Sequence, residues 1–191
     1  SIVPALFEKR VALAVAIVVL VTLGNLRGVR ESGTIFMAPT YLYLVVVLGL
    51  IGFGLVGLAT GFIPAYVPPE GWLAAEAGGE ALGLLLILRA FSSGAVALTG
   101  VEAISDGVPA FKPPEWRNAR TTLTWAVVLF AALFLGISLL VSTLGIVPDP
   151  TERQTVLSIL TRHLTGEGPY LVLVQVATAL LLTLAANTSF A

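Results

Sequence analysis

The stretch of sequence that decides the fold is residues 97–109, ALTGVEAISDGVP, which follows apolar residues at positions 82–88 and 90–91. The run has the composition of half a membrane-spanning helix, but two acids, two hydroxyls and two glycines then follow within nine residues. An ionisable side chain inside a span costs about 2.5–3.5 kcal/mol on insertion scales, so Glu102 marks a candidate functional site. Gly100 weakens a helix by about 1 kcal/mol relative to alanine and lets the backbone unwind. Because unwound backbone at membrane depth must line a cavity or lie within protein, we predict a substrate or ion site in a broken helix at residues 99–102.

The composition is that of an integral membrane protein. Of the 191 residues, 57% are hydrophobic and 11% are charged, whereas about 25% are charged in soluble domains. The formal net charge of −1 argues against a nucleic-acid partner. The chain has no cysteine and one histidine, so we predict no disulfide, no cofactor and no resident metal site. Because it begins at Ser1 and ends inside an apolar segment, we expect it to be an excerpt from a longer membrane protein.

Five apolar segments are predicted to span the membrane, because a helix needs about 20 apolar residues to cross the hydrocarbon core. Clusters of proline, glycine and charged residues separate these segments. Apolar residues at helical spacing in residues 151–164 predict a short amphipathic helix over one mouth of the bundle. The fold class is therefore an all-α polytopic membrane protein fragment with a discontinuous third span. The predicted spans are residues 4–26, 35–63, 82–108, 121–147 and 169–191.

The basic residues of the loops predict the orientation of the chain, since cytoplasmic loops carry an excess of lysine and arginine. The loops after the first and third spans carry five basic residues, and the loops after the second and fourth carry two. This asymmetry predicts a multi-pass protein of the cell membrane with the N-terminal end of the chain outside. The five basic residues are Arg27, Arg30, Lys112, Arg117 and Arg120.

The broken helix offers ligands for a cation and a carrier for a proton. Carbonyl and hydroxyl oxygens can replace the water shell of a cation. Glu102 lies one turn beyond Thr99 on the same face if the helix resumes there. Burial favours the neutral form of a carboxyl group, so Glu102 is a candidate for proton coupling, and the alternative is a neutral group that only holds helices together. The candidate substrate or ion ligands are Ala97, Leu98, Thr99 and Gly100.

Further polar residues flank this stretch on both sides. Asp106 lies four residues beyond Glu102, and we expect a solvated acid at the inner mouth. Ser93 is a candidate substrate contact, although its hydroxyl can also bond back to its own helix. Arg89 is expected to reach the outer interface or to pair with a helix outside this chain.

Two motifs resemble a known family of membrane proteins. NLRGVRESG at residues 25–33 is similar to the loop between the fourth and fifth helices of amino acid–polyamine–organocation (APC) permeases. TGVEA at residues 99–103 resembles the unwound sixth helix of the same superfamily. Residues 97–120 and 185–191 resemble the KimA-type branch of proton-coupled potassium importers. The resemblance implies that the chain holds helices four to eight of a LeuT-type fold, in which two inverted repeats place the site at broken helices.

The resemblance also implies a function and the roles of two residues. In the potassium branch, the position of Thr99 contributes an oxygen to the ion, and the position of Glu102 is the proton-linked carboxylate. The predicted function is that of a secondary active transporter fragment, with potassium–proton symport across the cytoplasmic membrane. The predicted partners are the lipid bilayer and a small cation or amino acid with a proton, with a homodimer left open and no nucleic acid.

Three alternatives remain. A proton-coupled amino acid permease of the same fold would hold a substrate carboxylate at the positive ends of half-helices. The absence of an aromatic side chain just before Thr99 favours an ion. A membrane enzyme would need a catalytic set that this sequence does not offer, so we predict no enzyme. A non-transporting structural subunit would use Glu102 only to hold helices together.

Overall fold

The computed structural model describes residues 9–26, 33–72, 83–95, 99–151 and 153–187. Every regular element in these ranges is helical, which confirms the all-α prediction for this part of the chain. A short 3₁₀ helix covers Val108–Ala110. The α-helices are α1 (Arg10–Leu26), α2 (Gly33–Thr60), α3 (Leu84–Gly94), α4 (Thr99–Asp106), α5 (Glu115–Leu144), α6 (Val156–Thr165) and α7 (Pro169–Asn187).

Three of the described helices are long and apolar enough to cross a membrane. They are the part of α2 at Met37–Thr60, the whole of α5, and the part of α7 at Pro169–Ala186. α3 is a shorter apolar helix of 11 residues. The described residues thus support three of the five predicted spans, and the spans at 4–26 and 82–108 stay predictions.

Two helices have boundaries that differ from those of the predicted spans. Backbone hydrogen bonds explain the start of α5, and a glycine conformation explains the end of α2. α5 begins at Glu115 rather than 121, because the carbonyl of Pro114 already accepts the N–H groups of Arg117 and Asn118, at 3.1 and 3.2 Å. Hydropathy locates the start of the apolar residues, but a helix continues through polar residues outside the hydrocarbon core. α2 ends at Thr60 rather than 63, and Gly61 follows with a φ of +71°, a conformation that glycine adopts readily at a helix C-terminus.

The chain divides into two compact units, one formed by Ser1–Pro68 with Ile137–Ala191 and the other by Pro69–Gly136. In the first unit, α2 packs against α6 and α7, and α6 packs against α7. In the second unit, α4 contacts the 3₁₀ helix that follows it. The most deeply buried aliphatic side chains belong to the first unit and are Val47, Leu50, Leu140, Leu160 and Val174.

Gly54 allows α2 to approach its neighbours closely. A Cβ atom at this position would lie 2.8 Å from both Cδ atoms of Leu140 and 3.1 Å from Cδ1 of Leu164. Both leucines are buried, with 0% and 8% of their surface exposed, so neither can move aside into open space. Helices in lipid associate through such close van der Waals contact, because burying apolar surface gains little there.

Hydrogen bonds satisfy several hydroxyl side chains of the first unit. The Tyr170 hydroxyl donates to the carbonyl of Val46 at 2.6 Å and thereby joins α7 to α2. The hydroxyl of Thr178 donates to the carbonyl of Val174, one turn back on α7, at 2.7 Å. Such bonds inside a helix satisfy a hydroxyl where the membrane supplies no water.

Most of the amphipathic segment predicted at residues 151–164 forms α6, which begins at Val156 rather than 151. Thr155 caps its first turn, because its hydroxyl oxygen accepts the N–H of Ser158 at 3.2 Å. Gly166, with a φ of +72°, follows its last residue. The helix buries Ile159, Leu160 and Leu164, and its placement over one mouth of the bundle stays a prediction.

We expect Gly54→Val to lower the melting temperature of the full-length protein in detergent micelles. The added side chain would overlap the buried leucines, and overpacking of this kind typically costs about 1–3 kcal/mol. Gly52→Val is the matched control, since no atom lies within 4 Å of a Cβ built at Gly52 on the same helix. Equal melting temperatures for the two variants would contradict the packing described here.

Candidate functional site

The predicted site lies at the junction between α3 and α4 in the second unit. α3 ends at Gly94, and the N–H of Ala95 donates to the carbonyl of Phe91. α4 begins at Thr99. Residues 96–98 lie outside the described residues and include two of the predicted ligands, Ala97 and Leu98. The unwound backbone and its free carbonyls therefore stay a prediction.

α4 carries four more of the predicted site residues on eight positions. Thr99 is its first residue, and Gly100 is exposed, with open space where a Cβ would lie. Glu102 lies in the first turn and Asp106 at the last position, and both side chains are exposed. A spacing of four places these two acids on one face of the helix.

α3 carries Ser93 and Arg89, which precede this junction in the sequence. Both side chains are exposed, and a spacing of four places them on one face of the helix. Neither forms a hydrogen bond or ion pair with another described residue. Their predicted contacts, with a substrate for Ser93 and with another helix for Arg89, stay predictions.

A second polar cluster lies outside the apolar spans of the first unit. Nε2 of His163 on α6 lies 2.9 Å from the carbonyl oxygen of Pro64, in the segment that follows α2. The rings of His163 and Tyr66 meet edge to face, with centroids 5.5 Å apart. The N–H of Tyr66 donates to the carbonyl of Leu144 at 2.9 Å. These contacts hold the segment after α2, the end of α5 and α6 together.

Asp149 organises the loop between α5 and α6. Its Oδ1 accepts the N–H and the hydroxyl of Thr151 at 2.8 and 2.6 Å, and its Oδ2 accepts the N–H of Gln154 at 3.1 Å. The Thr151 hydroxyl and the backbone donors hold the pKa of this carboxyl below its ordinary value of 3.8, although burial acts in the opposite direction. Burial and the Asp149 charge raise the pKa of Tyr66, and the Arg162 charge lowers it by less.

Sequence reasoning missed two features of the first unit. One is the cluster around Tyr66 and His163, in which His163 contacts Pro64 across 99 positions of sequence. The other is Gln175, which is half-buried within α7 and makes no hydrogen bond to any described residue. A polar side chain inside a span is costly and is commonly functional. A search of the spans for uncharged amides as well as charges would have found Gln175.

These features define a multi-pass membrane protein. Three apolar helices can cross a bilayer, and polar residues interrupt a further apolar segment at the junction of α3 and α4.

Comparison with known proteins identifies the family. The family model described as amino acid permease matches residues 3–191, and the chain therefore belongs to the amino acid permease family. The chain is also similar to a curated protein, the potassium transporter KimA of Bacillus subtilis (strain 168). The two are 43% identical over 189 residues, which cover 98% of this chain and 30% of the relative. The resemblance to APC permeases of the KimA type is thus confirmed, and the chain spans less than a third of that relative.

We expect Asp149→Asn to remove part of the acid sensitivity of folding. The pKa of Asp149 is lower in the folded than in the unfolded state, so its contribution to stability is complete above about pH 5. This contribution is lost as the pH falls through the lowered folded pKa, so the difference in melting temperature between wild type and variant should shrink with acidification. Melting curves of the full-length protein between pH 7 and the lowest tolerated pH would measure this.

Thr151→Val is a graded control for the same measurement. Valine has the shape of threonine but lacks the hydroxyl that donates to Asp149 at 2.6 Å, while the backbone donors remain. We expect an acid sensitivity between those of the wild type and Asp149→Asn. An Asp149→Asn protein whose stability falls with acid as steeply as the wild type would contradict the assignment.

Proposed function

We propose that this chain is part of a secondary active transporter that imports potassium together with protons. The observation that carries the proposal is the 43% identity to a potassium transporter across 98% of the chain. A match of that extent includes the stretch that holds Thr99 and Glu102. Membership of a permease family supports transport rather than enzymatic catalysis as the activity.

In the proposed mechanism, potassium binds where α4 begins. Carbonyls near Ala97 and Leu98 and the oxygen of Thr99 replace water around the ion, and Gly100 adds no side chain that would obstruct it. Glu102 follows within the first turn of α4 and carries the proton. Because the charges of a bound ion and of Glu102 interact at this spacing, ion binding and protonation influence each other, as a coupled carrier requires.

The proposed architecture is a LeuT-type bundle in which this chain supplies helices four to eight. The predicted orientation, with the N-terminal end outside, rests on the five basic residues near the first and third predicted loops. Arg117 and Arg120 lie in the first two turns of α5 rather than in a loop. They still count toward the orientation, because charges close to the end of a span contribute to the positive-inside bias.

The description of the matching family favours a second candidate, a proton-coupled amino acid permease. In that protein, the N-terminal end of α4 would bind a substrate carboxylate through its N–H groups and dipole. The exposed backbone at Gly100 is compatible with such an approach. Uptake experiments distinguish the two candidates by the solute that accumulates.

We expect Glu102→Gln to remove the dependence of rubidium uptake on a proton gradient. Rubidium serves as the potassium analogue, and the full-length protein is reconstituted in vesicles with an imposed inward proton gradient. Glutamine has the shape of glutamate but cannot release a proton at this position. Glu115→Gln, which makes the same change at the start of α5, should leave the gradient dependence intact.

Three results would contradict the proposal, either in its solute or in the role of Glu102. One is the absence of potassium-competed rubidium uptake by folded wild-type protein. Another is Glu102→Gln transport that responds to the gradient as the wild type does, which would leave Glu102 a structural role. The third is amino acid accumulation under the same gradient, which would support the permease candidate instead.

A further inference from the structure

We infer that the start of α5 binds the phosphate headgroup of an anionic phospholipid. The segment at residues 112–120, KPPEWRNAR, is termed the basic turn here, and its three cations and one carboxylate leave it with two net positive charges. The three cationic side chains are exposed, and none forms an ion pair with a described residue. These cations are Lys112, Arg117 and Arg120. The inference does not depend on which solute the protein transports.

The basic turn is held in place by its own hydrogen bonds. Nδ2 of Asn118 donates to the carbonyl of Lys112 at 2.8 Å and so fastens the segment before α5 to its first turn. The Arg117 guanidinium lies 5.4 Å from the ring centroid of Trp116, within the range of a cation–π contact. Cations carried on a preorganised turn lose less conformational entropy when they bind an anion.

Trp116 places the basic turn at the boundary between lipid and water. It is the second residue of the apolar span Glu115–Leu144, and 60% of its surface is exposed. Tryptophan is enriched at this depth of a bilayer, because its ring is apolar and its N–H is polar. Arg120 lies one turn further along α5, where its long side chain can extend back to the phosphate level. Two guanidinium groups can together bind one phosphate through paired hydrogen bonds.

The surface of α5 beyond the basic turn suits acyl chains. The hydroxyls of Thr121 and Thr124 donate to the carbonyls of Arg117 and Arg120, at 2.9 and 2.8 Å, and so are satisfied within the helix. The apolar side chains further along the helix are exposed. A ligand that covers both parts of this surface must combine an anionic head with an apolar body, and an anionic phospholipid does so. The exposed apolar residues are Val127, Val128, Phe130 and Phe134.

Lipid competition on the full-length protein tests the inference. The protein in detergent is equilibrated with equal amounts of phosphatidylglycerol and phosphatidylcholine, and native mass spectrometry counts the molecules of each that remain bound. We expect the wild type to retain phosphatidylglycerol preferentially. In the double variant Arg117→Gln with Arg120→Gln, the ratio of bound phosphatidylglycerol to phosphatidylcholine should fall. We expect a decrease of about fivefold for each cation removed, or about 25-fold in total.

The matched control is the double variant Lys9→Gln with Arg153→Gln. It removes the same charge from two exposed cations outside the basic turn, and it should keep the wild-type preference. A second measurement uses phosphatidylglycerol with brominated acyl chains, which quenches tryptophan fluorescence on contact. Quenching should decrease in Trp116→Phe relative to the wild type.

Each remaining outcome would overturn the inference. The double arginine variant could keep its preference for phosphatidylglycerol, or the control could lose it to the same extent, and either result would show that the basic turn is not the site. Unchanged quenching in Trp116→Phe would show that lipid does not contact Trp116 and would contradict the placement of the basic turn at the lipid boundary.

Discussion

The first unit depends on the contact of two leucine side chains with the bare backbone of Gly54. Apolar side chains gain little from leaving lipid for a protein interior, so membrane helices associate through close contact over small residues. Leu140 of α5 and Leu164 of α6 both meet α2 at this one position. The Tyr170 hydroxyl then joins α7 to the same helix through the carbonyl of Val46. α2 is thus the helix that α5, α6 and α7 all contact within this unit.

The candidate transport residues lie in a different environment from this packed core. Ser93, Gly100, Glu102 and Asp106 are all exposed in the described structure, whereas the leucines and valines around α2 are buried. The chain spans 30% of its relative, and the proposed LeuT-type architecture has its site between two repeats, with ligands from several helices. Residues that bind a solute at such an interface are enclosed by other helices of the whole protein. The proposed architecture therefore predicts that these residues are exposed in this part of the chain and enclosed in the whole protein.

Length and composition were sufficient to predict the all-α class, because long apolar segments have few other stable structures in a membrane. The family was also recognisable, because motifs such as TGVEA at residues 99–103 are local in sequence. The start of α5 was not predictable from hydropathy, because the helix continues through Glu115, Arg117 and Arg120 before the apolar residues begin. The contact between His163 and Pro64 joins residues 99 positions apart, and no local pattern contains that information. For the same reason, the predicted ligands of the candidate site need contacts that a single segment cannot define.

The bond between Tyr170 and Val46 spans 124 positions of sequence, and this separation bears on how the protein is made. Ribosomes add about 5–20 residues per second, so about 6–25 s pass between synthesis of α2 and of its partner on α7. During that interval α2 has its internal hydrogen bonds, and it can meet α5 and α6 as they emerge, but it lacks its contact with α7. α6 likewise cannot bury its apolar face fully until α7 has emerged. The tertiary structure of this unit is therefore completed late in translation, after its component helices have formed.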